Sequence, residues 1–154
     1  MASELPRTGR LAAIDYGAVR LGVAITDPDQ RLASPLENYT RRGEAMDAKW
    51  LQDIVNRERI AGFVVGLPIH ISGDESQKSG EARKFGQWVS ELTRLPVVFF
   101  DERYTSAHAE ALLLDAELTK KRRKERLDKL AAQILLSAYL ESSRGNAEPG
   151  GIGD

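Results

Sequence analysis

The sequence predicts an α/β protein built on a mixed five-stranded sheet, three strands in an antiparallel meander followed by strands joined in parallel, with helices on both faces. Three observations lead there. The apolar runs Leu11 to Ile14 and Leu21 to Ile25 stand only a few residues apart, as the two arms of a hairpin do. Two more short apolar runs, Ala61 to Leu67 and Pro96 to Phe100, each follow a stretch of helical spacing, an alternation that lays strands parallel. At 154 residues the chain suits one core, and a chain of that size buries roughly 68 to 70% of the surface its unfolded form exposes.

Each element has its own justification. The first run ends at Asp15-Tyr16-Gly17 and the second at Thr26-Asp27-Pro28, both turn-forming. A third strand is expected within Leu32 to Tyr39, where Pro35 argues for a sheet edge or a break. From Glu44 to Arg57, Met46, Trp50, Leu51, Ile54 and Val55 recur at helical spacing. Pro68 ends the next strand, and the polar stretch IHISGDESQKSG reads as a loop before a helix over Gln77 to Leu92. The strand to Phe100 ends at Asp101, and Ser106 to Leu114 reads as helical. The last helix, within Lys120 to Ser143, shows one apolar stripe of Leu127, Leu130, Ala131, Ile134, Leu135 and Ala138. We expect a single domain over residues 1–144 and a disordered Gly-rich tail over residues 145–154.

Composition removes several classes of function. The chain has no cysteine, which excludes disulfides, thiolate metal sites and cysteine nucleophiles and fits a reducing compartment. Its two histidines argue against a His-rich zinc site. The segment MASELPRTGR has no signal-peptide layout, and no apolar run approaches the roughly 20 residues that span a bilayer. A cytoplasmic protein without a membrane partner is expected. The net charge of −1 does not advertise nucleic-acid binding, but seven of the ten residues from Lys120 to Lys129 are basic. Such a run is a solvated helical face or a phosphate-contacting stripe, and its place beside Asp128 favours the second.

The acids carry the chemistry. Asp15 and Asp101-Glu102 stand at the ends of predicted strands, where ligands gather in open α/β sheets. Asp128 falls at the margin of the last helix's apolar stripe and so can face the rim of the sheet. Each acid alone has a plain explanation: Asp15 as a turn residue, Glu102 paired with Arg103, Asp128 paired with Lys124. Together at one rim they suit a hard divalent cation, Mg²⁺ or Mn²⁺, one or two ions, which takes oxygen ligands and usually only one or two carboxylates. Such a cluster points to metal-assisted phosphodiester hydrolysis.

Four motifs, D-Y-G-A-V-R-L-G (Asp15 to Gly22), G-L-P (Gly66 to Pro68), D-E-R-Y-T-S (Asp101 to Ser106) and D-K-L-A-A-Q-I-L-L (Asp128 to Leu136), resemble the signatures of the YqgF family, also called RuvX. The resemblance implies an RNase H-like fold related to the RuvC resolvases. It also implies a nuclease for the 5′ end of pre-16S rRNA, with Holliday-junction resolution as the alternative. On that pattern Asp15, Glu102 and Asp128 are the catalytic acids and metal ligands, with Asp101 a further ligand or an orienting neighbour. RuvC-type enzymes place an acid at the end of the strand after the first helix, where this chain has Gly66-Leu67-Pro68. Glu102 therefore has to act from the next strand, about 4.8 Å further away.

The remaining expectations concern binding. Arg20 contacts phosphate or ties its loop to a carboxylate, and Arg103 has the same two options. Lys120, Lys121, Arg122, Arg123, Lys124 and Arg126 hold the nucleic-acid backbone, while Gly17 and Gly22 permit a tight turn beside the metal. His70 reads as a surface-loop residue and His108 as packing or surface. Thr105 and Ser106 read as helix caps. The partner expected first is RNA, with branched DNA as the alternative, and either a monomer or a homodimer is compatible with the sequence. A noncatalytic nucleic-acid-binding module would keep the basic run without needing the acids. An actin-like sugar kinase, suggested by Asp-x-Gly before a hairpin, needs a much longer chain.

Overall fold

The computed structural model describes residues 4–68, 77–102 and 120–145, with side chains in the last segment described from 130 to 142. In chain order these form β1 (Arg10–Asp15), β2 (Arg20–Thr26), β3 (Ala33–Thr40), α1 (Glu44–Glu58), β4 (Ile60–Leu67), α2 (Gln77–Thr93), β5 (Val97–Asp101) and α3 (Lys120–Gly145). One sheet has the order β3-β2-β1-β4-β5. The pairs β1–β2 and β2–β3 are antiparallel, whereas β1–β4 and β4–β5 are parallel. The predicted mixed sheet is thus present, and its strands start and end within one residue or so of the sequence expectation. His70, Arg103, Thr105, Ser106, His108 and the helix expected from Ser106 to Leu114 lie outside the described residues.

Pro35 has the position its chemistry demands. It lies in β3, an edge strand, and pairs with Ala24 beside a register shift in which the next partners are Val23 and Glu37. Proline cannot donate to a ladder, so an edge with a bulge accommodates it.

Two clusters cover the two faces. Beneath α1 and α2 lie Ala12, Ile14, Val23, Phe63, Val65 and Val97, with Leu51, Ile54, Phe85 and Val89 of the helices packed on them. On the other face Leu11, Ala13, Ala24, Val64 and Val98 meet Ala132, Leu135, Leu136 and Leu140 of α3. The single stripe expected on α3 is incomplete. Ala132, Leu136 and Leu140 contact the sheet cluster, while Leu130, Ile134 and Ala138 are also buried. A helix enclosed on more than one side has no single-face periodicity to display.

The start of α1 is organised around Asp47, whose side chain is buried. Its Oδ1 accepts from the Tyr39 hydroxyl at 2.8 Å and from the Arg42 backbone N–H at 2.9 Å, and its Oδ2 accepts from Arg41 Nε at 3.2 Å. Gly43, the N-cap, has no side chain to cap the helix. Tyr39 also stacks on Trp50, with ring centroids 4.0 Å apart and planes within 6°. Burial raises the Asp47 pKa, but the Arg42 N–H, the Tyr39 hydroxyl and Arg41 outweigh it, so the net shift is downward.

Candidate active site

Strand alternation decides which side chains meet. Ala13, Val64 and Val98 all belong to the cluster under α3, so two residues further on Asp15, Gly66 and Phe100 occupy that same face. Glu102, just past the end of β5, lies on that side too, because its side chain occupies the space beside Gly66. The register sets these positions in a row across the sheet's carboxyl edge: Asp15 opposite Gly22, Ile14 opposite Val65, and Gly66 opposite Phe100. Asp101 pairs with Leu67 and shares the parity of Val97 and Phe99, which pack on the α2 side. Of the two adjacent acids, Glu102 is therefore the one directed along the face of Asp15.

Gly66 makes the reach possible. A Cβ on this residue would collide with a carboxylate oxygen of Glu102 and stand 3.0 Å from its Cγ and 3.1 Å from its Cδ. The Glu102 side chain crosses the end of β4 through space that any other residue would fill. The extra inter-strand distance is spanned by this crossing, and Glu102 forms a side-chain hydrogen bond with Asp15.

The electrostatics follow from that contact. Burial raises the Glu102 pKa, the charge of Asp15 raises it further, and Lys78 pulls the other way. The hydrogen bond with Asp15 and the charge of Asp101 add to the rise, and the result is about 7. Below that pH the protonated carboxyl donates to its partner, and two like charges are kept from facing each other.

The pair opens on a cleft of about 320 Å³. Its walls include the turn Tyr16 to Val19, Arg20, Gly22, Asn38, Pro68 and Lys78. Gly17 is required at that turn, since a Cβ there would lie 2.5 Å from the Arg20 carbonyl oxygen. The turn is tied down by the Arg41 backbone N–H, which donates to the Val19 carbonyl at 2.9 Å. Arg20 is exposed on the lip. Among the described residues no carboxylate forms a salt bridge with it.

Lys78 and Asn38 were not singled out in the sequence. Lys78 sits in a polar stretch without a motif, but it opens the helix that follows a parallel strand. Residues in such places border the carboxyl edge of the sheet, and that topology was the available signal. Asn38 becomes a neighbour only through the β2–β3 pairing, which places it opposite Gly22.

Among the described residues no group of three or more His, Cys, Asp or Glu is gathered for a metal. Asp128 belongs to α3, four residues before Ala132, which packs in the same cluster as Ala13. The side chain of Asp128, like those of Lys120, Lys121, Arg122, Arg123, Lys124 and Arg126, lies outside the described residues. Even so, the donor chemistry of the described part fits a hard cation. Two carboxylates are held so closely that one gives up its proton only near pH 7, and a bound cation would remove the reason for that delay.

Comparisons with known proteins agree with the fold and identify the family. Residues 9–142 match the RuvX family, described as Holliday junction resolvase. A protein of Rhodopirellula baltica named "Putative pre-16S rRNA nuclease" is 51% identical over 95% of this chain and 84% of its own length. One of the same name from Rhodobacter capsulatus is 39% identical over 91% of this chain and 88% of its own. Among solved structures, Thermus thermophilus RuvC in complex with Holliday junction substrate has a TM-score of 0.53 at 15% identity, covering 84% of this chain and 93% of that one. The fowlpox virus Holliday junction resolvase has a TM-score of 0.50 at 12% identity, covering 86% and 99%. At these identities the structural likeness concerns the fold, which is that of the RuvC-like resolvases.

Proposed function

The chain belongs to the RuvX family, and on that premise we propose that it is a metal-dependent nuclease that hydrolyses phosphodiester bonds in the maturation of the 5′ end of pre-16S rRNA. The observation that carries this reading is the Asp15–Glu102 pair, assembled across Gly66 at the carboxyl edge of the sheet. A noncatalytic binding module has no need of two carboxylates forced together in a cleft.

Asp15 and Glu102, completed by Asp128, would hold Mg²⁺ or Mn²⁺. When bound, such an ion activates water and stabilises charge on the reacting phosphate. The chain's own residues do the rest. Arg20 and Lys78, both lining the cleft, bring positive charge to a phosphodiester that the two acids alone would repel. The fixed turn from Tyr16 to Val19 shapes the space in which the strand lies. Glu102 would hold the ion as a carboxylate, its proton passing to solvent. Lys120, Lys121, Arg122, Arg123, Lys124, Arg126 and Arg103 supply affinity for the backbone without reading sequence.

Cleavage of branched DNA is the reading favoured by the family's description, and one experiment separates the two. Wild-type protein and Asp15→Asn are incubated with a pre-16S 5′ RNA segment and with a four-way DNA junction, each in Mg²⁺, Mn²⁺ or chelator. We expect metal-dependent RNA cleavage that the variant loses while still binding. Clean junction cutting with intact RNA would transfer the assignment to the resolvase.

A further inference from the structure

On the sheet face opposite the Asp15–Glu102 pair lies a second depression, of about 250 Å³. That volume is just below the roughly 300 Å³ at which pockets for drug-sized ligands begin, which suits a single ring system. Tyr16 lines both depressions. As the residue after Asp15 it has the opposite parity, and its ring packs with the α1 and α2 cluster. The two spaces therefore meet at one backbone position.

The walls are aromatic, with one guanidinium laid against two of the rings. Tyr16 and Phe85 rings stand 5.1 Å apart, Phe85 and Trp88 5.6 Å apart, in a tilted series. The Arg41 guanidinium lies 5.5 Å from the Tyr16 ring centroid and 5.9 Å from that of Phe85. It is not loose, because Asp47 accepts from its Nε at 3.2 Å, while the Tyr16 hydroxyl and the Gly17 carbonyl accept from Nη1 at 3.5 Å each. Asp47 in turn is buried and held by Tyr39 and Arg42. Trp88, only partly buried, presents the rest of its ring.

The polar rim limits the occupant. Apart from the Arg41–Asp47 ion pair, Glu44 and Glu81 outnumber Lys84, which disfavours a phosphate. Carboxylates accept hydrogen bonds from exocyclic amino groups, as they do from cytosine, and aromatic and guanidinium planes stack on bases. From this geometry we propose that the depression receives one unpaired nucleobase of the strand whose phosphate lies at Asp15 and Glu102. The inference rests on the nuclease reading, and it deepens that reading to a substrate with a single-stranded, unstacked nucleotide next to the scissile position.

The test uses Asp15→Asn in chelator, so that binding is read without cleavage, and short single-stranded RNA in which one base at a time is replaced by an abasic site. We expect one position at which removing the base weakens binding by about 5- to 150-fold, with neighbouring positions nearly unchanged. In Trp88→Leu, which keeps an apolar side chain against the core, that position-specific loss should shrink. The scan on the Asp15→Asn protein alone decides the matter if Trp88→Leu does not fold. A flat scan on a well-bound strand overturns the pocket and leaves the nuclease reading standing. Failure of every RNA and junction to bind overturns both. A free mononucleotide that binds as tightly as the strand assigns the pocket to a separate ligand and overturns the strand assignment.

Discussion

Replacing Gly66 by alanine puts a methyl group where the Glu102 carboxylate lies, so either Glu102 leaves Asp15 or β4 shifts. Misplacement by about 1 Å can cost on the order of 10²-fold in rate. Gly66→Ala should therefore lose at least that much nuclease activity while its far-ultraviolet circular dichroism stays that of the wild type. A variant with full activity would show that Glu102 does not need the crossing. The titration of Glu102 gives a second expectation. Its folded pKa is raised from 4.5 to about 7, so the folded state binds more protons than the unfolded state within that window. In metal-free protein the stabilising contribution is present below about 4.5 and is lost as pH rises through about 7. Urea midpoints measured in chelator should fall across this range in the wild type and fall less in Glu102→Gln. At this scale the sequence supplied the acids but not their contact. A glycine in a G-L-P string does not announce that a neighbour's carboxylate will occupy its side-chain space.

At the scale of elements, the boundaries of β1, β2, α1, β4, α2 and β5 were legible because each owes its existence to local periodicity. The junction between β3 and α1 was not. Asp47 is charged and sits near a helix start, which reads as an ordinary exposed first-turn acid, yet it is buried with three partners from the preceding loop and strand. Such a network depends on how β3 and α1 meet in space. Asp47→Ala would leave Tyr39, Arg41 and the Arg42 N–H without their acceptor, and we expect a loss of about 2 to 4 kcal/mol in equilibrium unfolding. Because the folded pKa of Asp47 is lowered from 3.8, its contribution is present above that value and disappears as pH falls through the lower, folded one. The difference between wild type and Asp47→Ala should narrow in acid. Trp88 was likewise unreadable, since α2 alone does not say which of its aromatic residues will line a depression beside Tyr16 and Arg41.

For the molecule as a whole, near-neutral net charge hides an uneven distribution. The basic run from Lys120 to Lys124 with Arg126 was visible in the sequence, and its electrostatic consequence is measurable. Neutralising Lys120, Lys121, Arg122 and Arg123 together should flatten the dependence of log affinity on log salt by about 0.7 for each single-strand phosphate contact removed. An unchanged slope would make the run a merely solvated face.

The β3 edge bears on how copies of this chain can associate. An unprotected edge strand invites another chain to continue the ladder. Here Pro35 lacks the N–H such a ladder requires, the adjacent bulge disturbs the spacing of the groups on either side, and Glu37 places a negative charge on the same strand. Sheet extension through β3 is thereby disfavoured, so a dimer in this orientation would have to be built from side-chain packing rather than from shared backbone hydrogen bonds. The same guard makes the strand a poor template for fibril growth, which matters most while the chain is newly made and β3 has not yet found β2.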